Sequence, residues 1–236
     1  SHMQMFRRLW HKVLDYVFPK NCLGCEREGE YLCSSCFDKM EYLDRFSCFI
    51  CNSGAFESGI CPDCQDKTGI DQIIVATKYS DNLAGKLVEE LKYSYLEDIA
   101  DSLGTVLVNQ IEKKGLRTTI ENKTIFPVPL HKKRFAERGF NQSEIILKNL
   151  INRYSLKLRK DLLIRQKSTA QQAKLERAER FSNLKDAFSA NDKNSIPKEI
   201  ILFDDVLTTG ATFTEAVSAL KKSGVERVVC LTVCHG

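Results

Sequence analysis

Nowhere does this chain of 236 residues sustain a run of about eighteen apolar side chains, so it offers no membrane-spanning helix. No Gly-x-x-x-x-Gly-Lys occurs, which removes the P-loop nucleotidases. Low-complexity linkers are absent, and so is any internal repeat beyond paired cysteine knuckles. A secretory apolar region is missing too, because Arg7, Arg8, His11 and Lys12 interrupt the stretch where one would lie. Ser1-His2 reads as a tag remnant, and the cytoplasm is the expected location. What remains, at 43% hydrophobic and 28% charged, is the composition of a globular domain with room for a small accessory module.

The ten cysteines are not scattered. Eight fall between Cys22 and Cys64 as Cys22-x-x-Cys25, Cys33-x-x-Cys36, Cys48-x-x-Cys51 and Cys61-x-x-Cys64. A two-residue gap lets both thiolates of a knuckle face one ion, and two knuckles close a tetrahedral site. Clustering of this kind, without an export signal, points to metal rather than disulfides. Two sequential four-cysteine zinc ribbons with structural Zn²⁺ are the natural reading; a cross-braced pairing of the first knuckle with the third, or an iron–sulfur cluster, are the alternatives. Cys230 and Cys234 stand apart on one face of an apolar strand and read as buried free thiols.

Hydrophobic patterning divides the chain. Residues 1–18 form an expected amphipathic helix ended by Pro19, residues 19–67 the double zinc ribbon, and residues 68–236 an α/β domain. Within the last, strands are expected at Ile73–Thr77, Ile125–Val128, Leu162–Ile164, Glu199–Phe203 and Val228–Val233. Helices are expected around Leu83–Leu91, Ile99–Leu107, Glu144–Tyr154 and Thr214–Ser223. Strands alternate with helices and the best strands are apolar throughout, which calls for a mostly parallel sheet covered by helices on both faces.

One segment carries chemistry on its face. The strand Ile200–Phe203 runs into Asp204-Asp205-Val206-Leu207-Thr208-Thr209-Gly210-Ala211-Thr212, and a helix follows. Ligands sit at the carboxyl ends of strands in open α/β sheets. Hydroxyls and backbone amides of Thr208, Thr209, Gly210, Ala211 and Thr212, at a helix N-terminus, make a cradle for one phosphate. Two carboxylates just before it would repel that phosphate but suit sugar hydroxyls a few ångströms away.

Residues 200–212 resemble the phosphoribosyl-pyrophosphate (PRPP) motif of type I phosphoribosyltransferases. Pro127–Arg134, Arg138-Gly139-Phe140-Asn141-Gln142, and Arg165 with Thr169, Gln172, Leu175, Arg180, Asn183 and Ala187-Phe188 resemble the signature of ComF-type competence proteins. A double zinc ribbon ahead of such a domain is similar to the ComFC branch. The resemblance implies a type I phosphoribosyltransferase-like fold with Asp204 and Asp205 on the ribose hydroxyls and Thr208–Thr212 on the 5′-phosphate. It also implies PRPP or a related phosphoribosyl ligand, with Mg²⁺. Leu130, His131, Lys132, Lys133, Arg138 and Arg165 become candidates for the pyrophosphate, with Arg165–Gln172 as a hood.

Charge adds a second partner. Residues 131–180 hold fourteen Lys/Arg against five Asp/Glu, a local +9, whereas residues 19–67 hold five against nine, a local −4. Eight thiolates and two Zn²⁺ would take the latter to about −8. A nucleic-acid backbone should therefore favour the basic segment, through Lys132, Lys133, Arg134, Lys157, Arg159, Lys160, Lys174 and Arg177. Stacking on Tyr31, Phe46, Phe49 and Phe56 is the competing site. The family likeness implies single-stranded DNA as the partner, in natural transformation, together with DNA-uptake machinery at the inner face of the membrane. A catalytic phosphoribosyltransferase is the alternative reading, although no segment announces an acceptor site.

Overall fold

The computed structural model describes residues 20–43, 47–79, 82–93, 97–166, 184, 186–191 and 196–236. The expected helix over residues 5–18, the aromatic Phe46 and the hood residues beyond Gln166 lie outside these, as do Lys174 and Arg177.

A five-stranded sheet forms the centre, in the order β1 (Gln72–Lys78), β7 (Arg227–His235), β6 (Glu199–Leu207), β2 (Thr124–Pro127) and β3 (Lys157–Leu158). Every neighbouring pair is parallel. The apolar runs behave as the sequence requires: β1 buries Ile73 to Thr77, and β7 buries Val228 to Cys234. Helices α3 (Asn82–Tyr93) and α4 (Glu97–Lys113) follow β1, and short α5 (Arg117–Ile120) leads into β2. After β2 come α6 (Lys132–Arg138) and α7 (Gln142–Tyr154), the latter packed on α4. The chain ends with β6, α8 (Ala211–Lys222) and β7. This is the mostly parallel, helix-flanked α/β architecture that the alternating pattern called for.

Three details depart from the sequence reading. The strand expected at Leu162–Ile164 does not join the main sheet; β4 (Leu163–Arg165) pairs antiparallel with β5 (Phe188–Ala190). Its alternation explains this, since Leu163 and Arg165 are buried while Ile164 is exposed, a pattern unfit for a sheet covered on both faces. The stretch Lys132–Arg138, for which the sequence suggested no element, is a helix, started by His131, whose Nδ1 accepts a hydrogen bond from the Lys133 amide at 3.2 Å. Finally, β6 runs on to Leu207, so both aspartates are strand residues.

The chain forms two compact units, a smaller one ending at Met40 and a larger one from Glu41 to Gly236. This division differs from the 67/68 boundary drawn on the sequence, and the packing shows why. The second cysteine region, with α2 (Pro62–Thr68), contributes Cys48, Phe49, Ile50, Ile60, Cys61 and Cys64 to the same buried cluster as Ile73, Leu202, Leu207, Phe213 and Val217. Hydrogen bonds join it to the sheet, with the Ile73 amide donating to Ser58 at 2.8 Å. Gly59 permits this approach: at φ +70°, any Cβ would lie 2.2 Å from the Ile73 carbonyl oxygen. The smaller unit holds the first cysteine region and α1 (Ser34–Asp38), which buries no residue of its own.

Candidate functional site

Both cysteine regions converge on four-sulfur clusters. Cys22, Cys25, Cys33 and Cys36 offer sulfurs all within 4.8 Å of one another, and so do Cys48, Cys51, Cys61 and Cys64. The pairing is therefore sequential and not cross-braced. A tetrahedral zinc with bonds of about 2.3 Å sets its sulfurs about 3.8 Å apart. The Cys25–Cys33 and Cys51–Cys61 separations of 3.6 and 3.7 Å match that spacing, and all the cysteines are free of disulfides. Burial disfavours the Cys22 thiolate, yet backbone hydrogen bonds from Cys33, Gly24 and Cys25 outweigh it and bring the thiol to about 6. Cys36 is pushed up to about 12, chiefly by its hydrogen bonding with Cys25 and Cys33. Four thiols this close cannot all ionise alone; a divalent cation resolves the conflict, and both clusters fit structural zinc.

The second site lies at the carboxyl end of β6. Strand alternation sends the two aspartates to opposite faces. Asp205 is only 6% exposed, and its Oδ2 accepts from Gln142 Nε2 of α7 at 3.1 Å. Asp204 keeps partial solvent access and accepts from the Asp205 amide at 3.0 Å. Desolvation, and then the neighbouring Asp205 carboxylate, hold Asp204 well above the usual carboxylate range, while Arg165 pulls the other way. Arg165 is itself buried on β4, its guanidinium 5.3 Å from the centre of the Phe188 ring. A pair of crowded acids is an arrangement that sugar hydroxyls or a divalent cation would relieve.

Downstream, Thr208, Thr209 and Gly210 turn the chain into α8. Gly210 is the N-cap at φ +79°, and Thr209 Oγ1 lies 3.4 Å from the Ala211 amide. Thr208, Thr209 and Thr212 keep partial solvent access while Ala211 is buried, so the turn is open to solvent over a packed floor. The neighbouring strand delivers a third component. Val128, past the end of β2, hydrogen-bonds Phe203 through its amide at 2.8 Å and accepts from Asn141 Nδ2 at 3.3 Å. Leu130 and His131 follow, half-buried, before the exposed Lys132 and Lys133 of α6. Arg134 and Arg138 belong to the same helix; their side chains lie outside the described set. A separate cleft of about 250 Å³, lined by Asp186, Phe188, Glu215 and Lys222 among others, includes none of the turn residues 208–212.

Two of the remaining basic candidates are committed elsewhere. Arg159 grips Asp161 through two hydrogen bonds of 2.9 and 2.8 Å and lies over the Phe126 ring, and Lys160 is ion-paired with Glu144. Lys157 is exposed on the edge strand β3. Phe49, expected as a stacking surface, is a core residue instead, 5% exposed and packed 5.1 Å from the His235 ring. By contrast Phe135, between the exposed lysines of α6 and Arg138, is 48% exposed.

Residues 13–65 match the family model described as a double zinc ribbon domain. Over 213 residues the chain is 27% identical to Competence protein F of Haemophilus influenzae, covering 88% of this chain and 86% of that one. Over most of its length the chain is similar to competence proteins. Competence protein ComFC of Bacillus subtilis is 26% identical over 210 residues, or 84% and 81% of the two chains. The DNA utilization protein YhgH of Escherichia coli is 28% identical over 210 residues, or 86% and 90%. Three residues around this turn were not singled out on the sequence: Ile50, Gln142 as a partner of Asp205, and His235. Gln142 stood in plain view inside Arg-Gly-Phe-Asn-Gln; Ile50 and His235 gave no signal, because their partners are far away in sequence.

Proposed function

We propose that this protein is a DNA-handling factor of natural transformation whose larger unit binds PRPP, with Mg²⁺, at Asp204–Thr212. The observation that carries the ligand is the junction of two crowded strand-end aspartates with a hydroxyl-rich turn at the N-terminus of the 12-residue helix α8. The names of the relatives supply the physiological setting.

Each residue then has a role. The turn from Thr208 to Thr212 holds the 5′-phosphate by hydroxyls and amides. Asp204, the more open acid, accepts from ribose hydroxyls, and Gln142 fixes the Asp205 carboxylate behind it. Mg²⁺, when bound with PRPP, neutralises pyrophosphate charge, and Asp204 and Asp205 are the acids available to meet it. The segment from Leu130 to Lys133, together with Arg165, supplies positive charge and amides on the other side. As for single-stranded DNA, the exposed Lys132, Lys133 and Phe135 of α6 combine charge with a stacking face, whereas Arg159 and Lys160 are already ion-paired.

Thermal denaturation with and without Mg²⁺-PRPP tests the ligand. Wild type should be stabilised because only the folded state binds, and Asp204→Asn/Asp205→Asn should respond little or not at all. Equal responses would refute the site. Transfer to an acceptor is the second reading: the same site would favour loss of pyrophosphate if a nucleophile were held opposite it. Release of pyrophosphate on addition of a panel of bases and amines distinguishes catalysis from binding alone.

A further inference from the structure

The floor of the phosphate turn is built by the third cysteine knuckle, which opens the second ribbon. Ile50 lies between Cys48 and Cys51 and is 8% exposed. A Cβ at Gly210 would lie 2.3 Å from Ile50 Cδ1, so the turn rests directly on this side chain. Next to it, Phe49 packs on His235, whose half-buried imidazole lies within reach of the backbone of both Phe49 and Thr208. Gly236 then ties the strand end back to β6, its amide donating to Leu207 at 2.9 Å. On the far side α2, which carries Cys64, packs against α8, the helix that the turn begins. The turn is therefore bound to the ligands of one cluster at its floor, at its start and along its helix.

We propose that Ile50 and His235 are positioning residues for the phosphate turn, so that metal ligation at Cys48, Cys51, Cys61 and Cys64 and phosphoribosyl binding at Thr208–Thr212 are linked. This rests on the phosphoribosyl reading above and adds to it a structural reason for a second ribbon. A knuckle of Cys48-Phe49-Ile50-Cys51 has its backbone path fixed by the ion, and that path sets where Ile50 and the Phe49 carbonyl stand. If the ion leaves, the floor loosens and the turn loses its preorganisation. Linkage is reciprocal, so a phosphoribosyl ligand must also retain the metal of this cluster. The first cluster, whose ligands belong to the other compact unit, supplies an internal comparison.

The experiment uses the full zinc-loaded chain and follows zinc transfer to a colorimetric chelator, with and without saturating Mg²⁺-PRPP. PRPP affinity is measured in parallel by calorimetry. Two releases are expected, of which one slows by about tenfold with PRPP while the other is unchanged. Cys51→Ser should lose the protected ion and most PRPP affinity, whereas Cys25→Ser should lose the unprotected ion and keep PRPP affinity. Ile50→Val removes only the methyl that touches the turn and leaves every ligand sulfur in place. It should keep two zinc ions yet weaken PRPP by about threefold to tenfold and reduce the protection in proportion. His235→Gln, which retains one hydrogen bond, should fall between wild type and His235→Ala. A purely structural role would lower thermal stability without a PRPP-dependent change in zinc release. If wild type binds PRPP but both ions leave at the same rates with and without it, the linkage is wrong and the phosphoribosyl reading survives. Failure of wild type to bind PRPP at all would overturn both.

Discussion

The two cysteine clusters use the same ligands at nearly the same spacing, and they are stabilised by different physics. Around the first, α1 buries no residue and the region forms a compact unit ending at Met40. Around the second, Phe49, Ile50 and Ile60 are buried in the core of the α/β unit, and backbone hydrogen bonds join it to β1. Structural zinc is decisive where apolar burial is too small to offset chain entropy. On that argument the first cluster would depend on its ion for order, and the second would share the task with a domain core. Spacing of cysteines shows that a metal site exists and leaves open what the site holds in place.

Ligand removal should split the two clusters most widely. Cys64→Ser should cost the larger unit more than about 4 kcal/mol, the range associated with a lost metal, and lower its main unfolding transition by about 10 °C. Cys33→Ser should abolish hydrogen-exchange protection in residues 20–40 and leave the main transition where it is. Differential scanning calorimetry combined with hydrogen exchange checks both.

Truncation comes next. Phe49→Ala should destabilise by about 3–5 kcal/mol as a buried aromatic in a packed core. Leu23→Ala, the corresponding apolar residue of the first knuckle, should leave the main transition within about 0.5 kcal/mol. Chemical denaturation curves decide this, and similar losses at the two sites would erase the contrast.

A smaller effect probes the contact between ribbon and turn. Gly210→Ala should cost about 1–2 kcal/mol for positive φ alone, plus the clash with Ile50. In an Ile50→Ala background the clash disappears, so the two changes should be markedly non-additive. Additivity within about 0.5 kcal/mol would show that the residues do not meet.

The subtlest expectation concerns pH. Burial and Asp205 raise the folded-state pKa of Asp204 above its unfolded value. Its contribution to stability is therefore fully present below the ordinary aspartate range and is lost as pH rises from there through the raised folded-state value. Asp204→Asn should melt a few degrees above wild type, on the order of 2–5 °C, at pH 7–8, and the gap should close near pH 4. The same substitution should weaken PRPP binding, so stability and function would move in opposite directions.

Sequence patterning made the α/β frame legible because its strands are unbroken apolar runs and its helices keep a regular apolar stripe. The acids and hydroxyls of residues 204–212 were legible because their chemistry is packed into nine consecutive positions. The helix Lys132–Arg138 was not expected because Lys-Lys-Arg-Phe-Ala-Glu-Arg shows no apolar stripe, and the structure leaves Phe135 exposed accordingly. The merging of the second ribbon with the core had no local signal. Phe49 and Ile50 look like any apolar residues in a knuckle, and their partners Gly210 and His235 stand more than a hundred residues away. Ion pairing hid in the same way: Arg159 and Lys160 counted as positive charge until Asp161 and Glu144 were seen beside them.

Cutting the chain at the two rival boundaries tests the central claim, that the second ribbon belongs to the ligand-binding unit. Residues 41–236 and residues 68–236 would each be purified, assayed for zinc and titrated with Mg²⁺-PRPP by calorimetry. The longer piece should carry one zinc per chain and bind PRPP as the full chain does, and the shorter should bind weakly or fail to fold. A shorter piece that folds and binds PRPP with full affinity would contradict it.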